Sequence, residues 1–154
     1  MPAISYTPIL PEHVYSGLAE DIEANPDARK LADVVLENKP SGNNYIDMFA
    51  NMVRRYGKAD AKEYAGRMGA EFRYFDGAVR CLTGMSVHGW VNEYLRLVAC
   101  DLVAKTTLNF KQIGKILGFS QSSFSQFFRA YAHMQPWEYR NLKRHGRKRG
   151  FFYD

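Results

Sequence analysis

Cysteine is scarce in this chain, with two in 154 residues, Cys81 and Cys100. Both lie among apolar residues of predicted helices, so we expect reduced core thiols and not a disulfide framework. The four histidines share no metal-ligand spacing with the cysteines. The sequence therefore predicts no metal site and no cofactor.

Long apolar runs are also missing. No stretch approaches the roughly 20 apolar residues that a membrane-spanning helix needs. The first residues lack a basic stretch followed by an apolar run, so no secretory signal is indicated. Nucleophile–base pairs, spaced carboxylate pairs and phosphate-binding loops are not evident either, so catalysis is not expected. We expect a cytoplasmic protein that does not bind membranes and is not an enzyme.

Charge is unevenly distributed along the chain. Residues 1–50 contain eight Asp/Glu and three Lys/Arg, a balance of −5, whereas residues 51–154 contain eight and eighteen, a balance of +10. A solvated basic surface would explain this pattern, and so would a polyanion-binding surface. The second explanation is favoured once the motif below is considered, because neutralised phosphates supply most non-specific affinity for nucleic acid.

The stretch from 108 to 140 has the pattern of two short helices joined by a tight turn. Asn109 and Gln112 are spaced as a capping box, Gly118 suits the end of the first helix, and Ser120 can cap the second. Residues at helical spacing are expected to form the buried faces: Ile113, Ile116 and Leu117, then Phe124, Phe127, Phe128 and Tyr131. Such a pair is typical of a DNA-binding helix-turn-helix.

The opposite face of the second helix is polar. It carries Ser122, Ser125, Gln126 and Arg129 at helical spacing, with one cation and no acid. Glutamine suits adenine and arginine suits guanine in the major groove, so this helix is predicted to contact base edges.

The stretch resembles the carboxy-terminal DNA-binding domain of the AraC/XylS family of bacterial transcription regulators. The residues that carry the resemblance are Ile113, Gly118, Phe119, the serine-rich start of the second helix, Phe124, Phe128, Arg129, Pro136, Tyr139 and Arg140. The chain departs from the family pattern at His133, where glycine is usual, and at Gly114, where alanine is usual. Many members also have one more residue between Phe119 and Phe124.

The family carries two helix-turn-helix units, and this chain contains a matching internal repeat. A shift of 49 positions aligns residues 60–90 with residues 109–139 without a gap. The identities fall at Lys62/Lys111, Gly69/Gly118, Phe75/Phe124, Arg80/Arg129 and Met85/Met134. Their positions at the turn glycine, the core phenylalanine and the outer arginine indicate a genuine repeat.

We therefore predict an all-α fold with two units joined by a linker helix. The expected ranges are an acidic extension with a linker at 1–43, a DNA-binding domain at 44–154, units at about 44–85 and 106–144, a linker helix at about 86–105, and a basic tail at 140–154. The linker helix has an apolar stripe that we assign to the core, formed mostly by Trp90, Tyr94, Leu97, Val98 and Leu102 and widened by Val91 and Leu95. Trp137 and Tyr139 are expected to pack.

Residues 1–40 do not match the repeat. Two helices are predicted there, at about 12–23 and 27–38, with Asp27 as a cap and Asn25-Pro26 as a stop. Forty residues are too few for the effector domain that usually precedes this half of the family, so we expect a stand-alone member or a fragment. A helical extension packed on the domain is favoured over a sensor, and an acidic arm competing with DNA is a third possibility.

The leading hypothesis is a sequence-specific regulator that binds double-stranded DNA and associates with the nucleoid. Base-reading candidates are Gln121, Ser122, Ser125, Gln126 and Arg129. Phosphate-contacting candidates are Arg73, Arg80, Lys105, Lys111, Arg140 and Arg144. The first unit should mainly position the protein, because its outer face contains Asp76, which phosphates would repel, and Gly77, which has no side chain.

RNA polymerase or another regulator is a further partner that the resemblance allows, and no small-molecule effector is evident. The alternative hypothesis is a protein-interaction adaptor that kept the fold and binds DNA without specificity. The basic tail either tracks phosphates or is a solvated end. Phe151, Phe152 and Tyr153 are expected to fold back on the domain or to contact a partner.

Overall fold

The computed structural model describes residues 7–20, 22 and 30–153, with side chains except at Gln121 and residues 145–153. Within this part the chain is all-α, as predicted. The helices are α1 Pro11–Val14, α2 Leu31–Val34, α3 Asn44–Tyr56, α4 Ala61–Arg67, α5 Phe72–Thr83, α6 Val87–Lys105, α7 Phe110–Leu117, α8 Gln121–Ala132 and α9 Pro136–Tyr153.

Helix α6 is the centre of the molecule. It begins after Ser86, whose Oγ accepts a hydrogen bond from the Gly89 N–H at 3.0 Å. Helices α1, α5, α7, α8 and α9 all pack against it. The predicted linker helix is confirmed, and its buried surface is wide, with Val91 and Leu95 buried as predicted, because neighbours surround it on several sides. Trp90, Tyr94, Leu95, Val98 and Leu102 are fully buried.

Two similar helix pairs flank α6, and they reproduce the repeat seen in the sequence. Helix α4 packs on α5, and α7 packs on α8. Asp60 and Asn109 cap α4 and α7 at equivalent positions. The equivalent turn glycines, Gly69 and Gly118, have φ values of 67° and 95°. We call α3–α5 the first unit and α7–α8, with the start of α9, the second unit.

The buried face of α3 differs from the predicted stripe. Helical spacing predicts an inward stripe of Tyr45, Met48, Phe49 and Met52 or Val53, but Tyr45 is half-buried and Met48 is 54% exposed. The buried residues are Ile46, Phe49, Ala50 and Val53. The face is set by Phe49, whose ring lies against those of Tyr64, Phe75 and Trp90.

The two helices predicted in the extension are wrong in length. Each is a single turn, and the segments around them pair as an antiparallel bridge between Leu18 and Val35. Gly17, with φ of 104°, lies between α1 and this bridge, and its carbonyl accepts from the Leu36 N–H at 3.0 Å. A continuous helix would not allow this pairing. The predicted cap Asp27 and stop Asn25-Pro26 lie outside the described residues.

The extension packs closely on the rest of the chain. The Tyr15 hydroxyl donates to Asp101 at 2.7 Å, and the Trp90 indole donates to the Ile9 carbonyl at 3.0 Å. The Arg54 guanidinium donates to the carbonyl oxygens at the end of α2, which belong to Ala32, Val35 and Leu36. The described part of the extension is therefore integrated with α3 and α6.

Two residues assigned to the core lie outside it. Cys81 is exposed, because the buried positions of α5 are Phe75, Val79 and Thr83. Trp137 is 58% exposed on α9, whereas Tyr139 packs edge-on against Phe128 with ring centroids 5.4 Å apart. Cys100 is partly buried, and both thiols are free.

Candidate nucleic-acid interface

The second unit has the predicted helix-turn-helix geometry. Asn109 Oδ1 accepts from the Gln112 N–H at 2.8 Å, and Gln112 Oε1 accepts from the Asn109 N–H at 3.0 Å, which completes the capping box. Gly118 ends α7 in the left-handed conformation. Ser120 Oγ caps α8 by accepting from the Ser123 N–H. These contacts fix the direction in which α8 leaves the turn.

The inner face of α8 anchors the helix on α7. Phe124 and Phe128 are 1% exposed, and Phe127 is nearly as buried. Helix α7 approaches closely at Gly114, where an added Cβ would lie 2.9 Å from Phe124 Cβ. The glycine at this position therefore allows the close packing of the two helices.

The outer face of α8 is formed by Ser122, Ser125, Gln126 and Arg129, and all four are exposed. Within the part of the chain that the structure describes, these side chains have no hydrogen-bond or ion-pair partner. The structure thus presents four polar groups on one helix face, free to contact another molecule. The side chain of Gln121, the fifth base-reading candidate, lies outside the described residues.

The outer face of α5 is different in character. Arg73 and Arg80 are exposed, as predicted, and Gly77 faces open space. Tyr74, which was not among the predicted site residues, is 80% exposed and lies beside Arg73. Its exposure was hard to foresee, because an aromatic residue in an amphipathic helix is usually counted toward the buried face.

Asp76 does not have the role expected from the sequence. Its side chain is only 17% exposed and turns toward the start of α6, where it accepts from the Val87 N–H at 2.9 Å and from Arg80 Nε at 2.8 Å. Partial burial alone would raise the pKa of Asp76. The hydrogen bonds from Arg80 and Val87 and the charge of Arg80 outweigh it and hold the pKa below its ordinary value. The Asp76 carboxylate therefore joins α5 to the start of α6, and the charge of Arg80 compensates its negative charge.

The remaining cations predicted to contact phosphate differ in their surroundings. Lys111 is exposed, and Lys105 pairs with Asp101 at 3.2 Å while its side chain stays 67% exposed. Arg140 donates to the Val103 and Leu108 carbonyls, and Arg144 donates to the Thr106 carbonyl. A structural role at the end of α6 accounts for both arginines, so a phosphate contact from either stays a prediction.

Among the described residues, no group of three or more His, Cys, Asp and Glu is arranged to hold a metal ion. None of the described helices combines the length and the apolar character needed to cross a bilayer.

Comparison with solved structures shows where this arrangement of helices recurs. The DNA-binding domain of AdpA, a global transcriptional factor crystallised with target DNA, superposes with a TM-score of 0.61 at 22% identity, covering 69% of this chain and 98% of that one. The C-terminal domain of AraT, a response regulator from Geobacillus stearothermophilus, gives 0.61 at 16% identity, with coverage of 67% and 88%.

A third structure has the same fold. The C-terminal domain of the two-component response regulator yesN from Fusobacterium nucleatum gives a TM-score of 0.59 at 17% identity, covering 64% of this chain and 99% of that one. Among proteins of curated function, none matches the chain significantly.

The sequence itself matches a family described as a helix-turn-helix domain, over residues 64–142. This segment is just over half of the chain, and it includes the end of α4, all of α5, the linker helix α6 and the second pair, α7 and α8. The chain therefore belongs to the AraC-type helix-turn-helix family of DNA-binding transcription regulators.

Proposed function

We propose that the protein is a sequence-specific regulator that binds double-stranded DNA, with α8 as its main base-reading helix. The observation that carries the proposal is the outer face of α8, whose four polar side chains are exposed and have no partner in the described chain. An amphipathic helix with an unused polar face and a rigid inner face suits insertion into a major groove.

The chemistry of this face fits base recognition. Gln126 can form a bidentate pair with adenine, and Arg129 can form one with guanine, while serine hydroxyls donate or accept with any base. The face lacks a carboxylate that phosphates would repel. The proposed base-reading residues are Gln121, Ser122, Ser125, Gln126 and Arg129.

The first unit is proposed to position the protein through phosphate contacts. Arg73 and Arg80 are exposed on α5, and the Asp76 carboxylate is held away by its hydrogen bonds at the start of α6. Backbone contacts of this kind fix register without reading sequence. Lys111 in the second unit and Lys105 at the end of the linker helix are proposed for the same role.

Two units in one chain imply a bipartite DNA site. If α5 and α8 enter successive major grooves on one face of a duplex, their contacts are separated by one helical turn, about 34 Å. The expected site therefore has two half-sites whose centres are about ten base pairs apart.

Selection of bound duplexes from a random pool at two salt concentrations tests the proposal. A bipartite motif that survives the higher salt would support specific recognition. A loss of all binding with salt and no recovered motif would reject it and would favour the adaptor hypothesis, because sequence-blind binding depends on counterion release.

Gln126→Ala tests which residues read bases. We expect a loss of about 1–3 kcal/mol at a single base pair of the selected site, with relaxed preference there. Lys111→Ala is the matched control. It should weaken binding to all sequences alike and reduce the slope of log affinity against log salt concentration by about one. Binding to a panel of single-base variants measures both effects. Equal weakening across the panel by Gln126→Ala would contradict its assignment.

A further inference from the structure

The connection between α3 and α4 contacts the second unit directly, although it belongs to the first. The Lys58 N–H donates to the Leu117 carbonyl, the last residue of α7, at 2.9 Å. The backbones are so close that a Cβ added at Gly57 would lie 2.7 Å from the same carbonyl oxygen. A Cβ added at Gly118 would lie 3.2 Å from the Lys58 nitrogen. Two glycines therefore permit a backbone contact between the units.

The Lys58 side chain continues this contact into the linker helix. Its Nζ donates to Asn92 Oδ1 on α6 at 3.1 Å and lies over the Phe119 ring, 5.7 Å from the centroid. Asn92 is 2% exposed. A buried amide is costly unless its hydrogen bonds are made, so the direction of the Lys58 side chain is specified by Asn92.

Asn92 then joins the linker helix to α8. Its Nδ2 donates to the Tyr131 hydroxyl at 2.9 Å and lies 3.0 Å from His88 Nε2. The polar chain from Lys58 through Asn92 to Tyr131 thus links the first unit, the linker helix and the helix proposed to read bases. We call Lys58, Asn92 and Tyr131 the inter-unit network.

We propose that Lys58 and Asn92 are positioning residues that lock the two units at one separation and thereby set the half-site spacing that the protein accepts. The spacing part rests on the proposed function. Asn92 is buried, Lys58 and Tyr131 are half-buried, and none of the three belongs to the outer faces of α5 and α8. It acts on recognition by making one relative placement of the units the most stable, because alternatives leave the Asn92 amide unpaired.

The lock can be measured without DNA, because the repeat offers matched labelling positions. Cys81 on α5 and Ala130 on α8 are equivalent in the repeat, and both are exposed. Spin labels at Cys81 and at Ala130→Cys, in a Cys100→Ser background, report the separation of the units by pulsed electron paramagnetic resonance. We expect one narrow distance distribution, which broadens in the Lys58→Met and Asn92→Leu variants.

Spacing preference is then measured on duplexes carrying the selected half-sites at the selected spacing and two base pairs closer or farther apart. In Lys58→Met and Asn92→Leu, the preference for the selected spacing should fall roughly tenfold, as expected when a partly buried hydrogen bond from a charged group is lost. Lys62→Met removes the same charge from the first unit outside the network. It should weaken binding to all three duplexes equally and keep the preference.

The results separate failure of the lock from failure of the proposed function. Unchanged distance distributions in both variants would overturn the lock, whatever happens on DNA. A second outcome is that the distributions broaden in the variants while the protein without substitutions shows no preference among the three spacings. This outcome would support the fixed placement of the units, and it would reject both its effect on half-site spacing and the proposed function. If a variant fails to melt cooperatively, Tyr131→Phe removes one hydroxyl from the network, and a narrow distribution there would also count against the lock.

Discussion

His133 ends α8 in the left-handed conformation, with φ of 65°, and its position in the repeat is equivalent to that of Gly84, with φ of 74°. It is the only non-glycine residue with positive φ in the described part of the chain. Its side chain is exposed, so nothing in the packing requires it. The departure from the family pattern seen in the sequence is therefore a strained helix end.

Replacing His133 by glycine should stabilise the protein. A left-handed conformation costs a residue with a Cβ about 1–2 kcal/mol, and the greater freedom of glycine in the unfolded chain offsets part of the gain. We expect His133→Gly to raise the free energy of unfolding by about 1 kcal/mol in urea titrations, with an unchanged m-value. His133→Ala keeps the Cβ and should give no such gain. Equal stabilities of the glycine and alanine variants would contradict the assignment of strain.

Gly114 and Gly77 form a second comparison at this scale, because both lie inside helices but differ in surroundings. A Cβ at Gly114 would lie 2.9 Å from Phe124 Cβ, whereas one at Gly77 would meet nothing within 4 Å. We expect Gly114→Ala to lower the free energy of unfolding by about 1–3 kcal/mol, because the added methyl group overpacks the contact with Phe124. Gly77→Ala should raise it by up to about 1 kcal/mol, because alanine favours the helix more than glycine does. Thermal unfolding of the two variants measures this, and shifts of the same sign would be inconsistent with it.

At the scale of elements, Asp76 couples two helices. It lies on α5, but its hydrogen bond to the Val87 N–H places a carboxylate at the first turn of α6. A negative charge there interacts favourably with the positive end of the helix dipole. Arg80 completes the arrangement by pairing with the same carboxylate.

The pH dependence of stability should reveal this coupling. Because the pKa of Asp76 lies below its ordinary value of 3.8 in the folded protein, its stabilisation is complete above that pH and is lost as pH falls through the folded-state pKa. Asp76→Asn should lower the free energy of unfolding at neutral pH by about 0.5–1 kcal/mol, with the difference vanishing in acid. Urea titrations at several pH values measure this difference. Glu37→Gln, at an exposed acid of the extension, is the control, and a pH-independent difference would refute the coupling.

Helices with local start and stop signals were predicted well from the sequence. Helices α7 and α8 begin at the predicted caps, α4 begins at the position equivalent to the α7 cap in the repeat, and the turn glycines lie where they were expected. These signals act within four residues, so a sequence pattern contains them in full. The face of α3 was predicted less well, because the aromatic rings that surround Phe49 come from residues distant in the chain. The single-turn helices of the extension are likewise set by long-range pairing.

The same limit applies to the candidate interface at the scale of the whole molecule. The exposure of the α8 outer face followed from helical periodicity and is confirmed. The commitment of Asp76 to α6 and of Arg140 to the Val103 and Leu108 carbonyls did not follow from it, because these partners are set by tertiary packing. The link from Lys58 to Asn92, which are 34 positions apart, belongs to the same class.

The extension offers a test of how the whole molecule is held together. Val14, Leu31, Val34 and Val35 are each at most 1% exposed, and burial of such side chains contributes about 1.5–3 kcal/mol apiece. Removing residues 1–43 would therefore expose the apolar surface of α3 and α6 that they cover. We expect residues 44–154 alone to lose cooperative thermal unfolding, followed by circular dichroism, and to bind DNA more weakly.

A point substitution weakens the packing of the extension without removing its acidic residues. In the full chain, Arg54→Met removes the hydrogen bonds to the end of α2 and should lower the free energy of unfolding by about 2 kcal/mol, as expected for a charged donor. If packing is the role of the extension, this variant should bind DNA more weakly than the unchanged protein. If the extension were instead an acidic arm that competes with DNA, residues 44–154 would remain folded and bind DNA more tightly than the full chain. Packing predicts the opposite, since a destabilised first unit holds Arg73 and Arg80 less firmly against the phosphates.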